Sequence, residues 1–280
     1  GTNQLTSFCV VPSSGDIYYH MNNTIFKLND PSFSISLPSG TGTIEDMQYD
    51  SNTNSLIIGS TNYGWRIKYI DLVSNTVNDI IGEDDGAGSP YEINDHLQGL
   101  SVFHDGSTTK ILWSHDGQTI QKVDFDGSNY QILLLQSGIP NDVEVLVNPI
   151  DSNLNQDYNI NYVTSEKVYF IEDQHKIYES DVNGSFVNLL YETTDYIDKL
   201  YLDEVNQDLY WVQGPSSLLM FAIKKSNLTS INPIHVTVSP IVDGYVSQLW
   251  YSNFDGLVYW SVTGQNGTSR LYNNLNSSPH

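Results

Sequence analysis

The chain has 280 residues and a formal net charge of −22 at pH 7, from 33 acidic residues against 11 basic ones. Such a surface repels phosphate backbones and anionic lipid heads, which argues against nucleic-acid or membrane-surface binding, and it attracts basic partners or divalent cations. No apolar run approaches the roughly eighteen residues that span a bilayer, so direct membrane insertion is not expected.

The composition predicts strands and tight turns. Alanine, the best helix former, occurs only at Ala87 and Ala222, whereas Tyr, Ile, Val, Thr, Asn, Gly and Ser dominate. A chain of this length could form two average domains or one large all-β domain, and the composition favours the second. The single cysteine, Cys9, lies in the apolar run FCVV and is expected to be a buried small hydrophobe.

Short apolar and aromatic strands recur six times along the 280-residue chain, which corresponds to a mean repeat unit of about 47 residues. In chain order they are IYY ending at Tyr19, LII at Ile58, ILW at Trp113, VYF at Phe170, LYW at Trp211 and VYW at Trp260. This spacing is the size of one four-stranded antiparallel propeller blade, so the sequence predicts an all-β, six-bladed β-propeller that fills residues 1–280. The predicted blades are 6–39, 43–82, 97–137, 143–192, 196–238 and 244–275.

The stretch KVDFDGSNYQILL, residues 122–134, contains an aspartate pair and a glycine that are typical of calcium loops. The twelve-residue calcium loop requires an oxygen ligand at its first position and a glutamate at its last, but Lys122 and Leu133 stand there. Asp126-Gly127 instead has the preferred chemistry of a hairpin turn before the last strand of a blade.

Two units depart from the regular pattern. In the fourth, VEVLVNP and YNINYV compete to be the first strand. The sixth lacks a clear fourth strand after RLY, and we expect the ring to close if residues 1–5 pair onto blade six.

The units resemble the YWTD repeats of six-bladed propellers in the low-density lipoprotein receptor class. The likeness is strongest over Ile111–Leu134 and Val168–Leu190 and extends to Ile197–Val212 and Val258–Leu271. It implies a non-catalytic recognition or adhesion module, extracellular or in the secretory lumen, that binds a protein or peptide. Asn-X-Ser/Thr sequons are no more frequent than the Asn, Ser and Thr content gives by chance, so they do not establish a glycoprotein.

Propellers carry recognition in loops, and the loops into each inner strand and between second and third strands should share one face. The candidate ligand-binding residues there are Tyr63, Trp65, His115, Asp116, Glu172, Asp173 and His175. Acidic loops predict a basic ligand. Several alternatives stay open. His115 and His175, each near an aspartate, fit metal ligands or acid–base pairs, but loop histidines more often cap turns or face solvent. Strand alternation along GWRIKYI would bury Trp65.

A second hypothesis is a calcium-dependent hydrolase similar to the six-bladed lactonases, with the metal at the mouth of the central channel. The candidate oxygen ligands are Glu45, Asp95, Asn141, Asp198 and Asp243. Against it, a chain with 33 acidic residues places many of them in turns, and the Gly-x-Ser-x-Gly and His-Glu-x-x-His motifs are absent. The sequence does not indicate an oligomeric state.

Overall fold

The structure is a computed structural model, and its described residues form strands, turns and bends. It describes residues 5–61, 65–82, 97–105, 108–115, 119–135, 140–146, 167–181, 187–203, 205–215, 221–228, 230–238, 244–264 and 269–275. Within these ranges there is no helix long and apolar enough to cross a bilayer.

The strands form six antiparallel sheets, each made of strands that are consecutive in the chain. Blade one contains β1 (Leu5–Val10), β2 (Ile17–Met21), β3 (Thr24–Lys27) and β4 (Asp30–Ser36); blade two contains β5 (Thr43–Asp50), β6 (Ser55–Thr61), β7 (Trp65–Asp71) and β8 (Thr76–Gly82). Blade three contains β9 (Leu97–Asp105), β10 (Thr108–His115), β11 (Thr119–Asp124) and β12 (Gln131–Leu135); blade four contains β13 (Pro140–Leu146), β14 (Lys167–Glu172), β15 (Lys176–Asp181) and β16 (Val187–Glu192). Blade five contains β17 (Tyr196–Asp203), β18 (Asp208–Gly214), β19 (Ala222–Asn227) and β20 (Ile234–Val238); blade six contains β21 (Gly244–Ser252), β22 (Leu257–Gly264) and β23 (Ser269–Asn273).

The blades are arranged in a ring. The first strand of each blade contacts the first strands of both neighbours, and β1 packs against β21 where the ring closes. The prediction of a six-bladed propeller is therefore confirmed, with three strands in blade six among the described residues. We call the side with the loops into the inner strands and between second and third strands the loop face, and the opposite side the turn face.

The aromatic repeats are the second strands of their blades, where they build the core between blades. Trp113 and Trp211 are fully buried, and Trp113 lies in a cluster with Ile57 and Ile67 of the preceding blade. Burial of such side chains stabilises the contact between blades by roughly 2–3 kcal/mol each. Cys9 is fully buried as expected, and burial raises the pKa of its thiol.

Polar side chains on one side of β5 join blade two to blade three. Gln48 donates from Nε2 to the Leu100 carbonyl at 3.1 Å. Asp50, which is fully buried, bonds to His104 Nε2 at 2.7 Å and accepts from Thr109 Oγ1 at 3.0 Å. Burial acts to raise the pKa of Asp50, but these hydrogen bonds hold it below its usual value.

The Asp-Gly segment of blade three is a hairpin turn between β11 and β12. Asp126 Oδ1 accepts from the Ser128 amide at 2.9 Å and from its hydroxyl at 2.6 Å. Gly127 has φ +82°, and a Cβ placed on it would lie 2.7 Å from the carbonyl oxygen of Ile80 in blade two. The glycine is therefore required both by backbone conformation and by contact with the preceding blade.

The structure identifies the inner strand of the fourth unit but does not test the predicted closure of the sixth. β13 contains Val143 and the VEVL segment, so this stretch is the inner strand of blade four, and YNINYV lies outside the described residues. Residues 1–4 also lie outside them, while Leu5 pairs with Met21 in its own blade. Closure by residues 1–5 onto blade six remains a prediction.

Replacing Gly127 with alanine should lower the free energy of unfolding by about 2–3 kcal/mol, because the methyl group adds a clash to the strain of a positive φ. Gly256→Ala is the matched control, since φ is +73° there but the nearest atom to an added Cβ is 4.0 Å away. Strain alone should cost about 1 kcal/mol in that variant. Equal losses in the two variants, measured by urea denaturation, would show that the contact with Ile80 is unimportant.

Candidate functional site on the loop face

Every inner strand has a register break near its loop-face end. The residues in these breaks are Thr6, Glu45, Gln98, Asn141 with Asp142, Asp198 with Lys199, and Ser247. A β-bulge turns side chains away from the regular alternation of the strand and is frequent beside functional sites. The six bulges thus place a set of polar residues at equivalent positions around the central channel.

A buried carboxylate ties four blades together beside these bulges. Asp46 Oδ1 accepts from the Met47 amide at 2.7 Å and from Gln248 Nε2 at 2.6 Å, and its Oδ2 accepts from the Leu100 amide at 2.9 Å. Gln248 Oε1 in turn accepts from the Ser7 hydroxyl at 2.9 Å and from the Phe8 amide. The oxygens of Asp46 are therefore occupied by protein donors from blades two, three and six.

Electrostatic interactions connect Asp46 with the bulge of blade five. Burial raises the pKa of Asp46, and the charge of Lys199 and the hydrogen bonds to the carboxylate oppose this shift. Burial likewise raises the pKa of Asp198, again opposed by Lys199. Asp198 is half-buried and makes no hydrogen bond to the other described residues. It is the channel carboxylate that the described part of the fold leaves open to a ligand.

Three of the predicted ligand-binding residues form the turn between β14 and β15. Asp173 and Gln174 adopt positive φ of 53° and 58° in the loop between Glu172 and Lys176, which pair with each other across the hairpin. Glu172 is buried and hydrogen-bonded to the Tyr178 hydroxyl, whereas Asp173 is exposed. Glu172 is thus structural, and of the acidic pair only Asp173 faces solvent.

This turn is fixed to the segment that leads into blade five. His175 Nδ1 lies 2.9 Å from the carbonyl oxygen of Asp195, and its ring lies 5.0 Å from the ring of Tyr196, centroid to centroid. The Gln174 carbonyl accepts from the Ile197 amide at 2.6 Å. Tyr196 remains 40% exposed beside this junction, which we call the blade 4–5 rim and define as residues 172–176 and 192–197.

The other predicted residues have different outcomes. Tyr63, Asp95, Asp116 and Asp243 lie outside the described residues, and Trp65, His115 and Asn141 are placed only as backbone positions of β7, β10 and β13. Glu45 and Asp198 are both at bulges of inner strands. Across the described ranges, no group of three or more His, Cys, Asp or Glu residues could hold a metal ion.

Sequence reasoning missed the residues that organise this face. Gln248 and Lys199 carry no motif, and Tyr196 is one of 19 tyrosines in the chain. A signal for Tyr196 did exist, because it directly follows an acidic loop residue at the start of an inner strand. The contacts of Asp46 with Gln248 join distant parts of the chain and have no local signature.

Comparisons with known proteins show the fold. No protein-family model matches the chain, and a search of curated proteins gives no significant match. A crystal structure of a nidogen/laminin complex is similar with a TM-score of 0.54 and 14% identity, over 80% of this chain and 75% of that one. A crystal structure of the tricorn protease is similar with a TM-score of 0.62 and 12% identity, over 100% of this chain and 26% of that one. The chain thus spans about a quarter of the tricorn chain. At these identities the likeness shows the propeller fold alone.

A second histidine is buried near the channel. His20 is 4% exposed, its Nδ1 lies 2.6 Å from the hydroxyl oxygen of Thr6, and its Nε2 has no partner among the described residues. Burial lowers the pKa of His20 from 6.5 to about 4. The Thr6 bulge therefore holds a neutral imidazole at the start of blade one.

Replacing Gln248 with leucine should lower the free energy of unfolding by about 3–5 kcal/mol. The change leaves the Ser7 hydroxyl, the Phe8 amide and one oxygen of Asp46 buried without this partner, and each lost partner costs about 1–3 kcal/mol. Gln131→Leu is the matched control, because Gln131 is exposed on β12. Urea denaturation of both variants is the measurement, and similar small losses would contradict a closing role for Gln248.

The stability contributed by His20 should depend on pH. Because its folded pKa lies below the unfolded value, the contribution is present above pH 6.5 and is lost as the pH falls toward 4. The loss should reach roughly 3 kcal/mol relative to His20→Asn, which cannot titrate. Carboxylates with a raised pKa contribute stability that is lost as the pH rises. Both proteins contain these carboxylates, so their contribution cancels in the difference between the two.

The measurement is urea denaturation of both proteins at several pH values between 4 and 7.5. His235→Asn is the control, since His235 is exposed on β20 and bonds to Lys224. A constant difference between the His20 variant and the parent protein across this range would contradict the assignment of a buried neutral imidazole.

Proposed function

We propose that this protein is a non-catalytic recognition module whose loop face binds a basic segment of another protein or a peptide. The observation that carries the proposal is the blade 4–5 rim. There Tyr196 is 40% exposed beside His175, and the two chain segments of the rim also carry the exposed carboxylates of Asp173 and Glu192. An aromatic ring next to carboxylates suits a lysine or arginine side chain.

The rim is organised before any ligand arrives. The His175–Asp195 and Gln174–Ile197 hydrogen bonds hold its two segments together. The Asp195 carboxylate is itself fixed, because Oδ2 accepts from Gln213 Nε2 at 3.0 Å. A site that is already ordered loses less conformational entropy on binding, which favours affinity.

The hydrogen bonding of the titratable groups supports binding rather than acid–base catalysis. Asp46 is saturated by protein donors, Glu172 is buried against Tyr178, and His175 uses Nδ1 to fix the rim. A general acid or base must reach a proton of the substrate, which these atoms do not offer. The resemblance to YWTD repeats supports an extracellular or lumenal location for the module.

A calcium-dependent hydrolase is the second candidate, and one observation favours it. Glu45, Asn141 and Asp198 occupy the bulge position in three different inner strands. Their backbone positions are therefore equivalent around the channel, which is the arrangement that a shared metal ion needs. Calcium would bind to carboxylate and amide oxygens there.

Binding should be tested with an immobilised array of lysine- and arginine-containing dodecapeptides and with matched peptides that carry glutamine at those positions. The recognition proposal expects selective binding of basic peptides that weakens as NaCl rises from 50 to 500 mM, because salt screens exposed charges. Tyr196→Ala should weaken the best peptide by about tenfold, as expected for an aromatic anchor. Asp173→Asn should weaken it by a few-fold.

The matched control for charge is Asp71→Asn, which removes one carboxylate from an exposed turn on the turn face of blade two. It should leave peptide affinity unchanged. Equal effects of Asp71→Asn and Asp173→Asn would mean that net charge alone drives binding and would overturn the rim as the site.

Calorimetric titration with CaCl2 separates the two candidates. Peptide binding that persists in EDTA supports recognition. Stoichiometric calcium binding that is lost in Asp198→Asn, together with calcium-dependent lactone or ester hydrolysis, would support the hydrolase instead.

A further inference from the structure

A cavity of about 730 Å³ opens on the turn face, between blade one and blade six. Blade one contributes the β1–β2 turn and the β3–β4 turn, and blade six contributes the turn-face ends of β22 and β23. The lining residues are Gly15, Asp16, Ile17, Lys27, Leu28, Asn29, Asp30, Tyr259 and Asn273. Its volume lies within the range of small-molecule sites, and it is on the opposite side of the ring from the blade 4–5 rim.

Polar groups in the cavity have hydrogen-bonding capacity that the described residues leave unused. Lys27 Nζ contacts Asp16 Oδ2 at 2.9 Å, which leaves Oδ1 of that carboxylate. Asp30 Oδ1 accepts from both the amide and the hydroxyl of Ser32, and the Phe33 amide also donates to this carboxylate, which has lone pairs left for a ligand. The Asn29 side chain is exposed and bonds to no other described residue. The cavity thus offers two carboxylates that accept hydrogen bonds, an ammonium group that donates them, and the Asn29 amide, which can do both.

The charge of the lining decides between classes of ligand. Asp16 and Asp30 outnumber Lys27, and the whole chain carries −22, so an anion is repelled. A cation would meet Lys27, which is already placed beside Asp16 and lies 5.7 Å from the centre of the Tyr18 ring. A neutral ligand is repelled neither by the carboxylates nor by Lys27. If it is rich in hydroxyl groups, it can bond to both, because each hydroxyl donates and accepts hydrogen bonds.

The rim of the cavity adds an apolar surface. Phe254 is 60% exposed and its ring lies against Gly15, where a Cβ would be only 2.5 Å from a ring carbon. Gly15 also has φ +72°, so backbone conformation and ring contact both require glycine. The C–H face of a sugar ring can pack on such an exposed aromatic ring while its hydroxyls bond to the carboxylates.

We propose that this cavity between blades one and six is a binding site for a neutral saccharide. Hydroxyl groups of the sugar donate to Asp16 Oδ1 and to the Asp30 carboxylate, and they accept from Lys27 and the Asn29 amide. Charged partners make these the stronger hydrogen bonds of the site. The proposal is independent of the recognition function of the loop face.

The test uses the full 280-residue chain and a panel of neutral sugars, namely cellobiose, maltose, lactose and N,N′-diacetylchitobiose. Saturation-transfer NMR and calorimetry should detect at least one of them with millimolar or tighter affinity. In protein with 15N-labelled asparagine, the side-chain amide signal of Asn29 should shift on addition of that sugar. Glucose 6-phosphate and spermidine are the anionic and cationic probes, and we expect neither to compete.

Asn29→Gly should weaken binding at least tenfold, because glycine keeps the positive φ of 63° and removes only the side chain. Asn75→Gly is the matched control, since Asn75 has φ 57° in the equivalent turn of blade two, away from the cavity. Four outcomes would each overturn the proposal. The first two are that no sugar of the panel binds and that the two variants bind with equal affinity. The others are that the protein prefers spermidine or glucose 6-phosphate and that the Asn29 signal does not shift. Because the signal is read in the unmodified protein, the test holds even if a variant folds poorly.

Discussion

The hydrogen bonds of Gln248 are the constraint on which the ring depends. Each described blade pairs only strands that follow one another in the chain, so no described strand is shared across the junction of blades six and one. Apolar packing of Trp250, Tyr259 and Leu271 against blade one covers this junction. Gln248 of β21 adds the hydrogen bonds that fix it, because its amide bonds both to blade one at Ser7 and Phe8 and to blade two at Asp46. Asp46 extends the link to blade three through Leu100. Because side chains make the contact that closes the ring, those side chains must be buried and their hydrogen-bond donors and acceptors must be paired.

That constraint also sets the chemistry available in the channel. Asp46, whose oxygens accept from Met47, Gln248 and Leu100, stabilises the ring, and the neighbouring Lys199 offsets part of its charge. Asp198, at the bulge of blade five, makes no hydrogen bond to the other described residues. On the outer part of the loop face, the turn of blade four supports the exposed Tyr196. Buried structural groups and solvent-exposed groups are therefore adjacent in the chain, as at Glu172 and Asp173.

The fold could be predicted because its signals are local. The aromatic second strands repeat along the chain, and turn chemistry such as Asp126-Gly127 marks the hairpins. The site could be predicted only in part. A bulge depends on the register between two strands, which no single residue encodes, so Glu45 and Asp198 were found as acids but not as bulges. Gln248 pairs with residues far away in the chain, and His175 was interpreted as a ligand contact although its Nδ1 holds a backbone carbonyl.

The side-chain closure of the ring has a consequence for how the protein folds. All described strand pairs are between neighbours in sequence, so each blade can form early from its own short stretch of chain. The bonds of Gln248 instead span 202 residues to Asp46 and 241 to Ser7, and they require both ends of the ring to be in place. We therefore expect ring closure to be a late step of folding and its reversal an early step of unfolding. On this expectation, the lifetime of the native ring depends on one seam rather than on all six blades.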